Sequence, residues 1–201
     1  MELLLGSKSP RRQELLKGAG IDYTLITIDS DEDFSEDMDG EKVAEYLAIK
    51  KAEAFEGDLE NKILLTADTT VFLEGEIINK PLDEEDAIKM LSKLSGKMHT
   101  VFTGVCLRSK NKEIAFTDKT NVYFKKLTKE QIEFYVLNYK PLDKAGAYGI
   151  QDWIGYIGVE KIEGDFFNVM GLPVNRVYDE LLELNKVSHR ATESTEKRKT
   201  P

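Results

Sequence analysis

The segment Gly6-Ser7-Lys8-Ser9-Pro10-Arg11-Arg12 gathers hydroxyls and guanidinium groups at a single turn. It follows the apolar run Leu3-Leu4-Leu5, short enough for a first buried strand, and leads into Gln13-Glu14-Leu15-Leu16-Lys17, which reads as a helix. Ser9 stands at the N-cap and Pro10 at the first helical position, where its missing N–H costs nothing. A helix N-terminus attracts anions through free backbone N–H groups and the helix dipole. Arg11 and Arg12 can add bidentate grips on phosphate oxygens. A capped helix with two solvated arginines is the alternative.

Other polar residues suit the same chemistry. An acidic stretch holds Asp29, Asp31, Glu32, Asp33, Glu36, Asp37, Asp39 and Glu41. It reads as a solvated loop from which one or two carboxylates could face a metal. Asp68-Thr69 follows the apolar residues 63–67, a common place for a functional carboxylate in an open α/β sheet, although Asp68 could equally cap a turn. Lys51 lies on a helix, Lys80 precedes a proline in a turn, and Lys144 and Gln151 flank a glycine-rich segment. Lysines and arginines suit a polyphosphate, while Glu32 and Asp68 suit a hard cation. That inventory serves metal-assisted attack of water on a phosphoanhydride. The chain has no Walker loop, Gly-x-Ser-x-Gly elbow or Cys/His nucleophile pair. Its two histidines, His99 and His189, and single Cys106 nearly exclude a zinc site of the His/Cys kind. Any metal is then expected to be magnesium or manganese on carboxylates.

The pattern of the chain supplies elements to hold these residues. Residues 23–28 read as a second strand. A helix starts at Asp39 or Gly40 and runs through Val43, Leu47, Ala48, Ala52 and Phe55. Residues 63–67 form a short strand ending at Asp68, and 71–73 with 77–78 form a hairpin about Glu74-Gly75-Glu76. Asp83 caps a helix with the stripe Ala87, Met90, Leu91 and Leu94. Residues 97–107 and 113–124 make a long antiparallel pair, and Thr128 with Gln131 makes a capping box ahead of Ile132, Tyr135 and Val136. Residues 156–159 and 161–162 suggest another strand. A last helix near Pro173 is expected to bury Val174, Val177, Leu181, Leu182 and Leu184. The fold class is α/β with a mixed sheet and flanking helices.

At 201 residues, with 41% hydrophobic and 32% charged residues, the chain has enough material for a packed core. A net charge of −9 argues against general nucleic-acid binding, yet allows a local basic pocket for a small phosphorylated substrate. No apolar run reaches membrane-span length, and a lone cysteine fits a reducing, cytoplasmic home. Residues 1–185 read as one domain of two lobes, and 186–201 as a polar, disordered tail.

The ordered motifs resemble the Maf family of nucleoside triphosphate pyrophosphatases from Leu3 to about Leu184. They are Ser7-Lys8-Ser9-Pro10-Arg11-Arg12, Lys51-Ala52, Ala67-Asp68-Thr69, Lys80-Pro81, Leu94-Ser95-Gly96, Pro141-Leu142-Asp143-Lys144-Ala145-Gly146-Ala147-Tyr148-Gly149-Ile150-Gln151 and Gly171-Leu172-Pro173. The resemblance implies an elongated, two-lobed Maf/ITPase-like fold with a central cleft, and a homodimer. It implies metal-dependent hydrolysis of nucleoside triphosphates to monophosphate and pyrophosphate, with a house-cleaning role. By position, Asp68 accepts the proton of the attacking water, and Glu32 with Asp68 lies near the metal. Ser7, Ser9, Arg12, Lys51 and Lys80 hold the triphosphate. Arg11, Thr69 and Gln151 match the branch resembling dTTP/UTP pyrophosphatases; the branch acting on 7-methyl-GTP tends to carry Trp, Gln and Glu there. Lys8 and Asp152-Trp153 depart from the family pattern. The competing readings are a nucleotide-binding regulator of cell division with incidental catalysis, and the 7-methyl-GTP branch.

Overall fold

A computed structural model describes the backbone of residues 1–35 and 37–196 and side chains as far as Asn185, Glu36 excepted. The central sheet is mixed, in the order β2-β1-β3-β5-β6-β7 with β4 paired to β3. The strands are β1 (Glu2–Leu5), β2 (Thr24–Leu25), β3 (Lys62–Leu73), β4 (Glu76–Ile78), β5 (Met98–Arg108), β6 (Glu113–Phe124) and β7 (Val159–Glu163). β1 runs parallel to β2 and β3, whereas β3, β5, β6 and β7 pair antiparallel in sequence. The helices are α1 (Pro10–Gly18), α2 (Gly40–Glu53), α3 (Glu84–Leu94), α4 (Lys129–Tyr139), α5 (Trp153–Gly158), α6 (Phe166–Met170) and α7 (Val174–Glu196).

The helix starts follow their caps. Asp39 accepts from Glu41 N, Asp83 accepts from Asp86 N, and Thr128 with Gln131 closes a full capping box. Ser9 is the N-cap of α1, but its side chain makes no cap hydrogen bond.

β3 organises the molecule. Its odd-numbered residues face two separate cores. Leu65 and Ala67 pack with Leu5, Leu16, Val105, Leu107 and Val177; Val71 and Leu73 pack with Leu91, Leu94, Val101, Phe124, Ile132 and Tyr135. Thr69 falls between them. The even-numbered face lies under α2, where Thr66 Oγ1 donates to Ala48 O at 2.6 Å. α2 comes down onto the sheet at Gly104: a Cβ there would lie 2.2 Å from the backbone of Ala44 and Glu45. Only glycine permits that approach.

Four expectations need correction. The second strand is confined to Thr24–Leu25. β3 does not end at Asp68; it continues to Leu73, with Asp68 opposite Gly104 in unbroken pairing with β5. Residues 156–158 belong to α5, because the turn at Asp152 starts a helix before the chain extends as β7. Leu182 is exposed, since the buried stripe of α7 runs Val174, Val177, Leu181, Leu184. α7 is described to Glu196, into the segment expected as a tail; its side chains from Lys186, and residues 197–201 altogether, lie outside the described residues. Among the described residues no helix is long and apolar enough to cross a membrane.

Candidate active site

The opening comes from a gap in strand pairing. One edge of β3 is covered by β5 from Leu64 to Phe72. The other is covered by β1 from Lys62 to Leu65 and by β4 from Val71 to Leu73, leaving residues 66–70 without a strand neighbour. A cleft of about 450 Å³ opens at this gap. It is lined by the Ser7–Arg12 turn, Glu32, Lys51, Asp68, Thr69, Lys80, Lys144 and Gln151, so every residue given a site role by the family resemblance converges there.

On the α2 side, Lys51 Nζ donates to Asp68 Oδ1 at 2.6 Å and to Glu32 Oε1 at 3.0 Å. Lys80 Nζ reaches Glu32 Oε2 at 3.3 Å. The neighbouring Lys50 pairs with Asp31 and donates to Asp33 O at 2.9 Å, so two adjacent lysines hold the acidic loop. Among the described residues the carboxylates of this stretch are exposed, as a solvated loop requires, and the two lysines anchor it at Asp31, Glu32 and Asp33. Burial alone would raise the Glu32 carboxyl, but the hydrogen bond and charge of Lys51, helped by Lys80, bring it below its ordinary value.

On the opposite side of β3, Arg12 is held in a fixed orientation. Nε donates to Gly171 O at 2.8 Å, Nη1 to Ser7 Oγ at 3.0 Å and Nη2 to Thr69 Oγ1 at 3.1 Å. Burial lowers its pKa against the opposing pull of Asp68, yet a guanidinium stays charged. These bonds use three of its five N–H donors and leave two, and the residue lines the cleft.

Thr69 Oγ1 also lies 3.0 Å from Thr103 Oγ1, which donates to Asn168 O at 2.9 Å. Buried Asn168 donates in turn to Val101 O and Thr120 Oγ1, at 3.1 and 3.0 Å. Sequence reasoning missed this support behind Arg12: a single asparagine after two phenylalanines carries no signal of burial.

Arg11 points elsewhere. Its Nη1 donates to Asp143 Oδ2 at 2.8 Å, and Lys144 Nζ takes the other oxygen at 2.8 Å. Burial would raise the Asp143 carboxyl, and these two cations overcome that and lower it. The pair ties α1 to the loop after α4 across the cleft. Gln151 lies at the rim with its side-chain oxygen Oε1 buried and without a hydrogen-bond partner.

Among the described residues no group of three or more His, Cys, Asp and Glu is arranged to hold a metal. Glu32 and Asp68 nevertheless share one lysine and offer hard oxygen donors. Magnesium commonly takes one or two protein carboxylates and completes its shell with phosphates and water. The donor set fits such an ion.

The family model described as Maf-like protein matches residues 2–184. A Bacteroides thetaiotaomicron protein named dTTP/UTP pyrophosphatase is 47% identical over 185 residues, covering 91% of this chain and 96% of the relative. Relatives of the same name from Christiangramia forsetii and Thermosipho africanus are 48% and 52% identical, covering 91% and 89% of this chain and 94% and 91% of their own. The solved Staphylococcus aureus Ham1 protein aligns with a TM-score of 0.45 at 19% identity, covering 62% of this chain and 72% of its own.

Proposed function

The chain belongs to the Maf family, and on that premise we propose that its cleft hydrolyses dTTP and UTP to the monophosphate and pyrophosphate, with attack of water at the α-phosphate. The observation that carries this reading is the arrangement about one strand: a carboxylate beside Lys51 on one face of β3, a fixed guanidinium on the other, and an open edge between.

Asp68 is the proton acceptor. Oδ1 is committed to Lys51 at 2.6 Å, so Oδ2 takes the proton as water adds to phosphorus. Arg12, Lys51 and Lys80 hold the triphosphate, with Ser7 and Ser9 as hydroxyl donors. Charge grows on the departing pyrophosphate as the bond from the α-phosphorus to the bridging oxygen breaks. Cations fixed beforehand stabilise that charge without reorganising. Arg12 meets the requirement because three protein acceptors already orient it. Glu32 and Asp68 would hold magnesium or manganese, which when bound supplies charge neutralisation at the phosphate oxygens.

The buried, unpartnered Oε1 of Gln151 supports the pyrimidine reading. Thymine and uracil both carry an N3–H able to satisfy it, and the glutamine amide can donate to their O4. The names of the close relatives support the same choice.

A nucleotide panel with magnesium or manganese tests this function by quantifying monophosphate and pyrophosphate. dTTP and UTP should be turned over best. Negligible turnover of both, alongside rapid loss of 7-methyl-GTP, contradicts the assignment.

A further inference from the structure

We propose that Tyr135 and Asp152 are positioning residues that set base selectivity by holding Gln151. The inference rests on the proposed reading of the cleft and adds a determinant outside it. Residues 149–152 form a tight turn in which Asp152 N donates to Gly149 O at 3.0 Å. Gln151 is the third residue of that turn.

A second connection crosses the turn through a phenol from α4. Gly149 N donates to Tyr135 Oη at 3.0 Å, and Tyr135 Oη donates to Asp152 Oδ2 at 2.7 Å. The hydroxyl thus accepts from one end of the turn and donates to the other. Its ring is fully buried in the core between α3, α4 and β5, and stacks on Tyr139 with centroids 5.1 Å apart. Burial and the adjacent carboxylate both raise the phenol's pKa, so it keeps the proton that it donates.

Little room remains in the turn. A Cβ on Gly149 would lie 2.6 Å from Asp152 Oδ2 and 3.2 Å from Gln151 Oε1, so the two side chains fold over the glycine together. One of them is tied to Tyr135; the other presents the buried oxygen without a partner. Moving Asp152 therefore moves the space in which Gln151 is held. A base contact needs its acceptor fixed to within a fraction of an ångström, and buried neighbours that lock it supply that precision.

The test uses Tyr135→Phe and Asp152→Asn in the full chain. For each, kcat/KM is measured for UTP and GTP, with inhibition by inorganic tripolyphosphate as a probe lacking a base. Phenylalanine fills the same space and removes only the hydroxyl. The expected result is a fall of about tenfold in the UTP-to-GTP ratio for Tyr135→Phe, carried by KM for UTP, with tripolyphosphate inhibition unchanged. Asp152→Asn, which keeps an acceptor for the phenol, should lose about threefold or less. A ratio within twofold of wild type for Tyr135→Phe overturns the inference, whatever the absolute rates. If Tyr135→Phe does not fold, Asp152→Ala takes its place with the same criterion. A wild-type protein without UTP activity would instead refute the proposed function, so the two failures are distinct.

Discussion

Replacing Lys51 by methionine removes one ammonium group while keeping most of the aliphatic length that packs along α2. Its bond to Asp68 is largely shielded, with side-chain exposures of 15% and 13%, so a charge-assisted contribution of about 1.5–3 kcal/mol applies nearly in full. The bond to Glu32 is discounted, because that carboxylate is 51% exposed, to about 0–1 kcal/mol. The expected destabilisation at pH 7 is about 1.5–4 kcal/mol. The Glu32 portion depends on pH in a fixed direction. Its carboxyl is lowered from an ordinary value of 4.5, so its contribution is present above that pH and fades as pH falls through the lowered folded value. Urea denaturation at pH 7 and at successively lower pH should show the gap between wild type and variant narrowing below 4.5. Turnover of dTTP should fall about 100-fold or more, as for loss of one pre-positioned transition-state donor. Coincident denaturation curves at pH 7, or turnover within threefold of wild type, would refute the reasoning.

Arg12→Lys keeps a charge but cannot satisfy Gly171, Ser7 and Thr69 at once; KM for dTTP should rise at least tenfold, measured by steady-state kinetics. Asp68→Asn should abolish turnover while triphosphate binding, followed by calorimetry, stays within a few-fold. Gly104→Ala drives a methyl into the backbone of Ala44 and Glu45, and should cost about 3 kcal/mol or more in urea denaturation. Buried His99 bonds to Tyr148 Oη at 2.7 Å and is held neutral by desolvation, its pKa pushed down to about 4. Stability linked to it is complete above about 6.5 and is lost as pH falls toward 4. An NMR titration of His99 with a midpoint near 6.5 would contradict this burial.

The convergence on one cleft is legible through the ordered family motifs, since singly Glu32 is one acid among many and Asp68 could equally cap a turn. Asp83 and the Thr128–Gln131 box announced their helices, and the Ser7–Arg12 turn announced a helix entry between apolar runs. Aspartate disfavours strands, so the sequence pattern ends the strand at Asp68; the charge is tolerated within β3 because Lys51 arrives from α2. That compensation is tertiary and leaves no trace beside Asp68 in the chain. The same is true of Gly104, whose need for glycine comes from α2 overhead, and of Asn168, whose partners lie on β5 and β6. Arg11 and Arg12 could be assigned different tasks from family resemblance, but only the geometry shows one bound to Asp143 and the other to Thr69. Leu182 marks the limit of counting apolar residues on a helix: displacement by one position from Leu181 turns a leucine to solvent.

The most direct measurement of the central claim is single-turnover hydrolysis of dTTP in water enriched in oxygen-18, with the products resolved by mass spectrometry. Attack at the α-phosphate predicts one labelled oxygen in dTMP and unlabelled pyrophosphate. Label in pyrophosphate, or release of dTDP with labelled orthophosphate, would contradict it.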